Sequence, residues 1–162
     1  MDKIQEMLIQ MLKRNSFFKN LTEKKLIKFS NLFKLWMAVK WQAIIKEWDT
    51  PEKIYIAKNW KLIARKANGL KSITLWEIEE WEVFWEMSYF YKRPAIASVI
   101  CESDTCAYWE ISRKDFENFL KENPSIAQII AEELRKREEE NKEKLWWKYQ
   151  DNNTNDNIEI NL

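Results

Sequence analysis

Acidic side chains crowd one reach of the sequence: Glu77, Glu79, Glu80, Glu82 and Glu86, followed by Ser88, Arg93 and Ser98. Carboxylates this close could share general acid and base work, but no nucleophile or metal-ligand set accompanies them. Histidine is absent from the chain, which removes the commonest general base and the usual metal ligand. The two cysteines, Cys101 and Cys106, stand in CESDTC, which is neither a zinc knuckle nor a redox CxxC pair. They read as ordinary thiols near a strand, and the acids as solvated strand and loop residues. The expectation is a non-enzymatic chain with no catalytic residue, metal or cofactor.

The remaining composition narrows the class. At 162 residues the chain is about one domain, large enough to bury a core without staples. A formal net charge of +1 supplies no field to draw in DNA or an anionic membrane. No apolar run approaches the roughly 18 residues that span a bilayer, and MDKIQEMLIQ lacks the order of a signal peptide. The expected location is cytoplasmic.

Helical spacing opens the chain. Ile4, Met7, Leu8, Met11 and Leu12 share one face of a helix over residues 2–14. Thr22 caps a second over residues 23–34, with Leu26, Ile27, Phe29, Leu32 and Phe33 as its stripe. From about residue 36 the pattern changes to short runs, MAVK, AIIKE, KIYIA, KLIARKA, SITLWEI, VFWEM and AIASVICE. Their spacing of roughly 8–12 residues predicts seven or eight strands in an all-β barrel or jelly roll. Asn68-Gly69 marks a hairpin between two of them. Ser112, with Asp115 three positions on, caps a helix over residues 113–120. Asn123 and Pro124 open a long final helix to about residue 147. Its first half is apolar on one face, through Ile126, Ile129, Ile130 and Leu134, and its second half is almost all charge. The predicted organisation is a helical brace (1–35), a barrel with its C-terminal helices (36–147) and a disordered polar tail (148–162).

One glycine and ten tryptophans occur, and giving glycine to the tryptophan positions would restore an average glycine content of about 7%. The positions are not random. LKRNSFFKNLTEKKL, QAIIKEWD, KIYIAKNWKL and ITLWEIEEWEVFWEMSYF resemble motifs of the cyclic nucleotide-binding domain family, the sensor module of catabolite activators, cyclic-nucleotide-regulated kinases and some channels, over roughly residues 8–145. The resemblance implies a mainly β fold with flanking helices: a double-stranded β-helix barrel. The family carries glycine at the positions of Trp41, Trp48, Trp60, Trp81 and Trp85, and often at Trp76. Glycine suits such corners because it takes positive φ freely, where another L-residue strains. The expectation is a source that reads UGA as glycine, its gene translated with a table that reads UGA as tryptophan. The other reading keeps these residues as core or ligand-stacking aromatics. The identities of Trp36, Trp109, Trp146 and Trp147 stay open.

By resemblance, the cyclic phosphate of cAMP or cGMP sits at the N-terminus of a short helix at Trp85, Glu86, Met87 and Ser88. Glu86 would accept a hydrogen bond from the ribose 2′-hydroxyl, and the backbone of Met87 and Ser88 would face the phosphate. The family pattern continues P-R-(A/S)-A-(T/S)-V, where this chain has Pro94, Ala95, Ile96, Ala97, Ser98 and Val99. Alanine therefore stands where the family has its phosphate-pairing arginine. Arg93 is the nearest substitute, unless it is a solvated loop residue beside Lys92. The resemblance implies a regulatory domain degenerate at this arginine; the alternative is a ligand-free interaction or dimerisation scaffold. Either way the expected protein partner, or second copy, docks on the C-terminal helix, and no DNA-binding element or membrane contact is expected.

Overall fold

The computed structural model describes residues 1–50, 52–59, 61–80, 83–84 and 94–153. Two helices come first, α1 (Lys3–Arg14) and α2 (Glu23–Ser30). Eight strands follow: β1 (Lys34–Val39), β2 (Ala43–Ile45), β3 (Lys53–Asn59), β4 (Leu62–Asn68), β5 (Lys71–Ile78), β6 (Val83–Phe84), β7 (Ser98–Cys101) and β8 (Thr105–Ser112). The chain then enters α3 (Arg113–Glu122) and α4 (Pro124–Asn153).

The helices start where side chains satisfy their free N–H groups. Asp2 accepts from the Gln5 N–H at 2.7 Å, Thr22 from Lys25 at 3.4 Å and Ser112 from Asp115 at 3.1 Å, each an N-cap. Asn123 does something else at the head of α4. Its amide donates to the Phe119 carbonyl at 2.9 Å and its oxygen accepts from Lys25 at 2.8 Å, so it ties α2 to the α3–α4 joint.

The strands form two four-stranded antiparallel sheets, ordered β1-β8-β3-β6 and β2-β7-β4-β5. The first has two covered faces because its strands alternate between two apolar surroundings. Ile54, Ile56, Trp109 and Ile111 pack outward against Leu8, Met11, Leu12, Phe18, Phe29 and Leu134 of the helical layer. Ala38, Tyr55, Ala57 and Cys106 face inward and meet Ile45, Leu62, Ile78 and Val99 of the second sheet. Phe29 and Phe119 stack at the centre of the helical layer with centroids 3.8 Å apart. Trp109 is buried, and its indole N–H donates to Met11 Sδ at 3.2 Å.

Several expectations need correcting. Ile4 and Met7 are exposed, and Ile9 is buried with Leu8, Met11 and Leu12, because α1 presents only its C-terminal half to the core. α2 ends at Ser30, not near 34, leaving Ile27 and Leu32 at the surface and Phe33 against the core. The final helix continues to Asn153, past the expected end near 147 and into the predicted tail; residues 154–162 lie outside the described residues.

The cysteines are not free thiols. Cys101 on β7 and Cys106 on β8 form a disulfide with Cα atoms 5.8 Å apart. The turn between them brings the inward faces of two different sheets together, so the bond links the sheets across the barrel interior.

Phe29→Ala removes the stacked ring on which the helical layer closes. It should lower unfolding free energy by about 3–5 kcal/mol, as measured by denaturant titration.

Candidate functional site

The site begins at two corners. The turn from β1 to β2 carries Trp41 at φ 68°, and the turn from β2 to β3 carries Trp48 at φ 73°; they are the two non-glycine residues with positive φ among those described. Gly69, in the expected Asn-Gly hairpin between β4 and β5, has φ 62°. The corners bracket one segment. The Trp41 N–H donates to the Cys101 carbonyl at 2.7 Å, and the Trp48 N–H donates to the Ala95 carbonyl at 2.8 Å. Neither indole is core: Trp41 is 55% exposed and Trp48 71%. Trp76 differs, lying within β5 against the buried cluster.

The corner at residues 47–49 then clamps the chain that runs into β7. The Ala95 N–H donates to the Asp49 carbonyl at 2.8 Å, and the Glu47 N–H donates to Ser98 Oγ at 2.9 Å. The Glu47 carboxylate is largely buried. It accepts from the Ala67 N–H at 2.9 Å and pairs with Lys66 Nζ at 3.3 Å, which also donates to the Ile96 carbonyl at 3.1 Å. A buried carboxylate needs such partners to be tolerated.

A second polar group sits on the inward face of the first sheet. Glu110 is buried and pairs with Lys53 at 2.7 Å. Tyr55, opposite it in register, packs edge-on against Tyr108. Burial, then the Glu110 charge and then Tyr108, push the Tyr55 hydroxyl up to about 12. Burial and Glu110 raise Tyr108 likewise.

Of the expected site residues, the structure brings Ala95, Ile96 and Ser98 together against residues 47–49 and Lys66. Ala95 is 1% exposed, inside the apolar cluster. Trp85, Glu86, Met87, Ser88 and Arg93 lie outside the described residues, as do Trp60, Trp81 and Glu82. Glu77, Glu79 and Glu80 are exposed, and no cluster of three metal-ligating side chains occurs among the described residues. Sequence reasoning missed the Glu47–Lys66 and Lys53–Glu110 pairs, whose members are far apart along the chain. The EWD turn was the one available signal, for Glu47.

No protein-family profile matches the chain, and no curated protein sequence matches it. Solved structures do. The regulatory domain of Toxoplasma gondii PKA, crystallised with cAMP, matches with a TM-score of 0.68 at 24% identity, over 74% of this chain and 46% of that one. Thermus thermophilus Catabolite Activator Protein matches with a TM-score of 0.71 at 20% identity, over 81% and 62%. The fold is that of cyclic nucleotide-binding domains. The regulatory subunit of a cAMP-independent protein kinase A from Trypanosoma cruzi, bound to guanosine, matches with a TM-score of 0.65 at 17% identity, over 74% and 41%. The chain thus spans less than two thirds of the length of each of these three structures. Two of the three are named as a regulatory domain or subunit of protein kinase A and the third as a catabolite activator. No helix among the described residues is long and apolar enough to cross a membrane.

Two outcomes follow from the geometry. Glu47→Ala takes the acceptor from the Ala67 N–H and leaves Lys66 only the Ile96 carbonyl, and should cost about 1–3 kcal/mol in chemical denaturation. The raised Tyr55 pKa means the folded state holds this proton more tightly than the unfolded state, whose tyrosine titrates near 10. Its contribution to stability is therefore complete below pH 10 and is lost as pH rises from 10 through about 12. Tyr55→Phe should remove that component from stability measured against pH.

Proposed function

We propose that the chain is a non-enzymatic sensor domain that takes a nucleoside-containing ligand, of the cAMP or cGMP kind, at the barrel mouth between β6 and β7. The observation that carries this reading is the clamp on Ala95: its N–H and carbonyl bond the Asp49 and Trp48 backbone at 2.8 Å each. It pins the chain where the resemblance expects the phosphate-pairing residue. In this reading Glu86 accepts from a ribose hydroxyl, the backbone of Met87 and Ser88 faces the phosphate, and Arg93 stands in for the arginine missing at Ala95. α4 reports ligand binding through its charged half, to a protein partner or a second copy. The fold is shared with domains crystallised with cAMP and with guanosine, which supports a ligand built on a nucleoside.

The same reading assigns glycine to residues 41 and 48 in the protein as its source makes it, through UGA read as glycine. Two left-handed corners support it, since a side chain there costs about 1–2 kcal/mol and exposed indoles recover little of that by burial. Lys40 and Arg65 lie 5.6 and 5.9 Å from the Trp41 ring centroid and Lys66 5.4 Å from that of Trp48, cation contacts worth about 0.5–1 kcal/mol each at exposed sites, which offset part of that strain.

Trp41→Gly and Trp48→Gly should each stabilise the chain by about 1–2 kcal/mol in thermal or denaturant unfolding, and peptides from the native source should carry glycine mass at 41, 48 and 85. Destabilisation by both substitutions, with tryptophan mass in the native peptides, would retire the glycine assignment. For the ligand, calorimetry with cAMP, cGMP, a cyclic dinucleotide and guanosine should give saturable binding to at least one. Glu86→Ala should weaken it by roughly 10- to 100-fold, the loss expected for a charged hydrogen bond. Arg93→Ala separates the two roles of that residue: weaker cyclic nucleotide binding marks a relocated clamp, and unchanged binding a solvated loop residue.

A further inference from the structure

We propose that the outer edge of β1 is a docking site for an extended acidic segment, and that its occupant is residues 158–162 of this chain.

Among the described residues the two sheets have four edge strands. β6 is two residues long, β2 is three with a break in register between Ala43 and Ile45, and β5 lies against α4. Short length, bulges and a covering helix are the usual ways of closing an edge to another strand. β1 has none of them. It runs for six residues in unbroken register with β8, with no proline and no charge between Lys34 and Lys40.

In an antiparallel ladder, hydrogen-bonded and non-bonded pairs alternate. The Lys40 N–H donates to the Asp104 carbonyl at 3.0 Å, and this pair is next in register after Val39 and Thr105. Lys34, Trp36 and Ala38 therefore bond to β8, while Leu35, Met37 and Val39 turn their N–H and C=O groups to the open edge. Gln42 takes both groups of Val39: its side chain accepts from the N–H at 3.0 Å and its own N–H donates to the carbonyl at 3.0 Å. The N–H and C=O of Leu35 and Met37 remain, spaced to pair with one short strand. The side chains beside them are apolar and open, Met37 being 64% and Val39 61% exposed.

Charge selects among extended segments. Lys34 and Lys40 stand at the two ends of the edge, and neither pairs with a carboxylate among the described residues. A second copy adding its own β1 would crowd the lysines of both strands together, and like charges across a ladder are unfavourable. The run Ile158-Glu159-Ile160-Asn161-Leu162 has the opposite character. Its apolar residues alternate, the pattern of a strand with one covered face, and from Asp151 onward the chain has three acids and no base. Alone, so short and polar a stretch cannot offset the entropy of ordering itself. A preformed edge supplies its backbone partners, and Met37 and Val39 supply apolar surface for Ile158, Ile160 and Leu162.

The test uses the full chain, in whichever of its tryptophan and glycine forms melts cooperatively, with the photocrosslinker p-benzoylphenylalanine in place of Met37. After irradiation and proteolysis, mass spectrometry should find residue 37 joined to a peptide within 154–162. Cross-linked species of one chain or of two tell whether the segment closes on its own β1 or on that of a second copy, and both support the proposal. Ile158→Asp with Ile160→Asp should remove the cross-link, leave cooperative unfolding intact and speed amide exchange at Leu35 and Met37 by about tenfold or more. Cross-links from residue 37 to β1 of a second copy, to any other segment or to nothing would overturn the proposal. So would amide exchange at Leu35 and Met37 that the double substitution leaves unchanged.

Discussion

The barrel depends on two backbone corners that turn with left-handed φ. At 41 and 48 the chain reverses so that β2 can lie along β7, and each corner residue donates its N–H across to the facing segment, to Cys101 of β7 at one end and to Ala95, ahead of β7, at the other. Straightening either corner would lose the register of β2 on β7, Ala43 against Ile100 and Ile45 against Val99. The second sheet would then lose an edge, and the Ala95 segment its anchor. A residue without Cβ meets this demand freely. Elsewhere the chain uses its single glycine in the same way, in the hairpin at Gly69 with φ 62°.

Around that constraint the interior divides by polarity. The helical layer and the outer face of the first sheet form a dry aromatic and aliphatic core, with Trp109 as a true core tryptophan bonded to Met11. The space between the sheets is narrower in chemistry: small apolar residues, the Cys101–Cys106 bond and two carboxylates neutralised by lysines. A low-dielectric setting makes each pair dependent on its partner. It also explains why Tyr55 and Tyr108 hold their protons so firmly beside Glu110.

Legibility differed by element. The caps at Thr22 and Ser112, the Asn68-Gly69 hairpin and most strands could be read because each is encoded by neighbours along the chain. β8 was not among the runs picked out, although it pairs with both β1 and β3. Trp109 and Ile111 alternate with Tyr108 and Glu110 as in a strand, yet both of its faces are covered, one by helices and one by the second sheet, so Glu110 does not mark a solvent face. The α1 face was misread for a related reason. Periodicity orients a helix, but it does not say how much of its length the body of the protein covers, and Ile4 and Met7 project beyond it.

Sequence alone determined the class of fold and the suspicion that tryptophan stands at glycine corners, because motif spacing and residue counts are properties of a one-dimensional chain. Tertiary structure decided what touches what. Glu47 finds Lys66 and Ser98, Lys53 finds Glu110, and Cys101 finds Cys106 only once two sheets close on each other. The sign of φ at 41 and 48 is likewise a three-dimensional fact. Backbone handedness at a corner is set by the strands it must join, and the side chain placed there can only ease that turn or strain it.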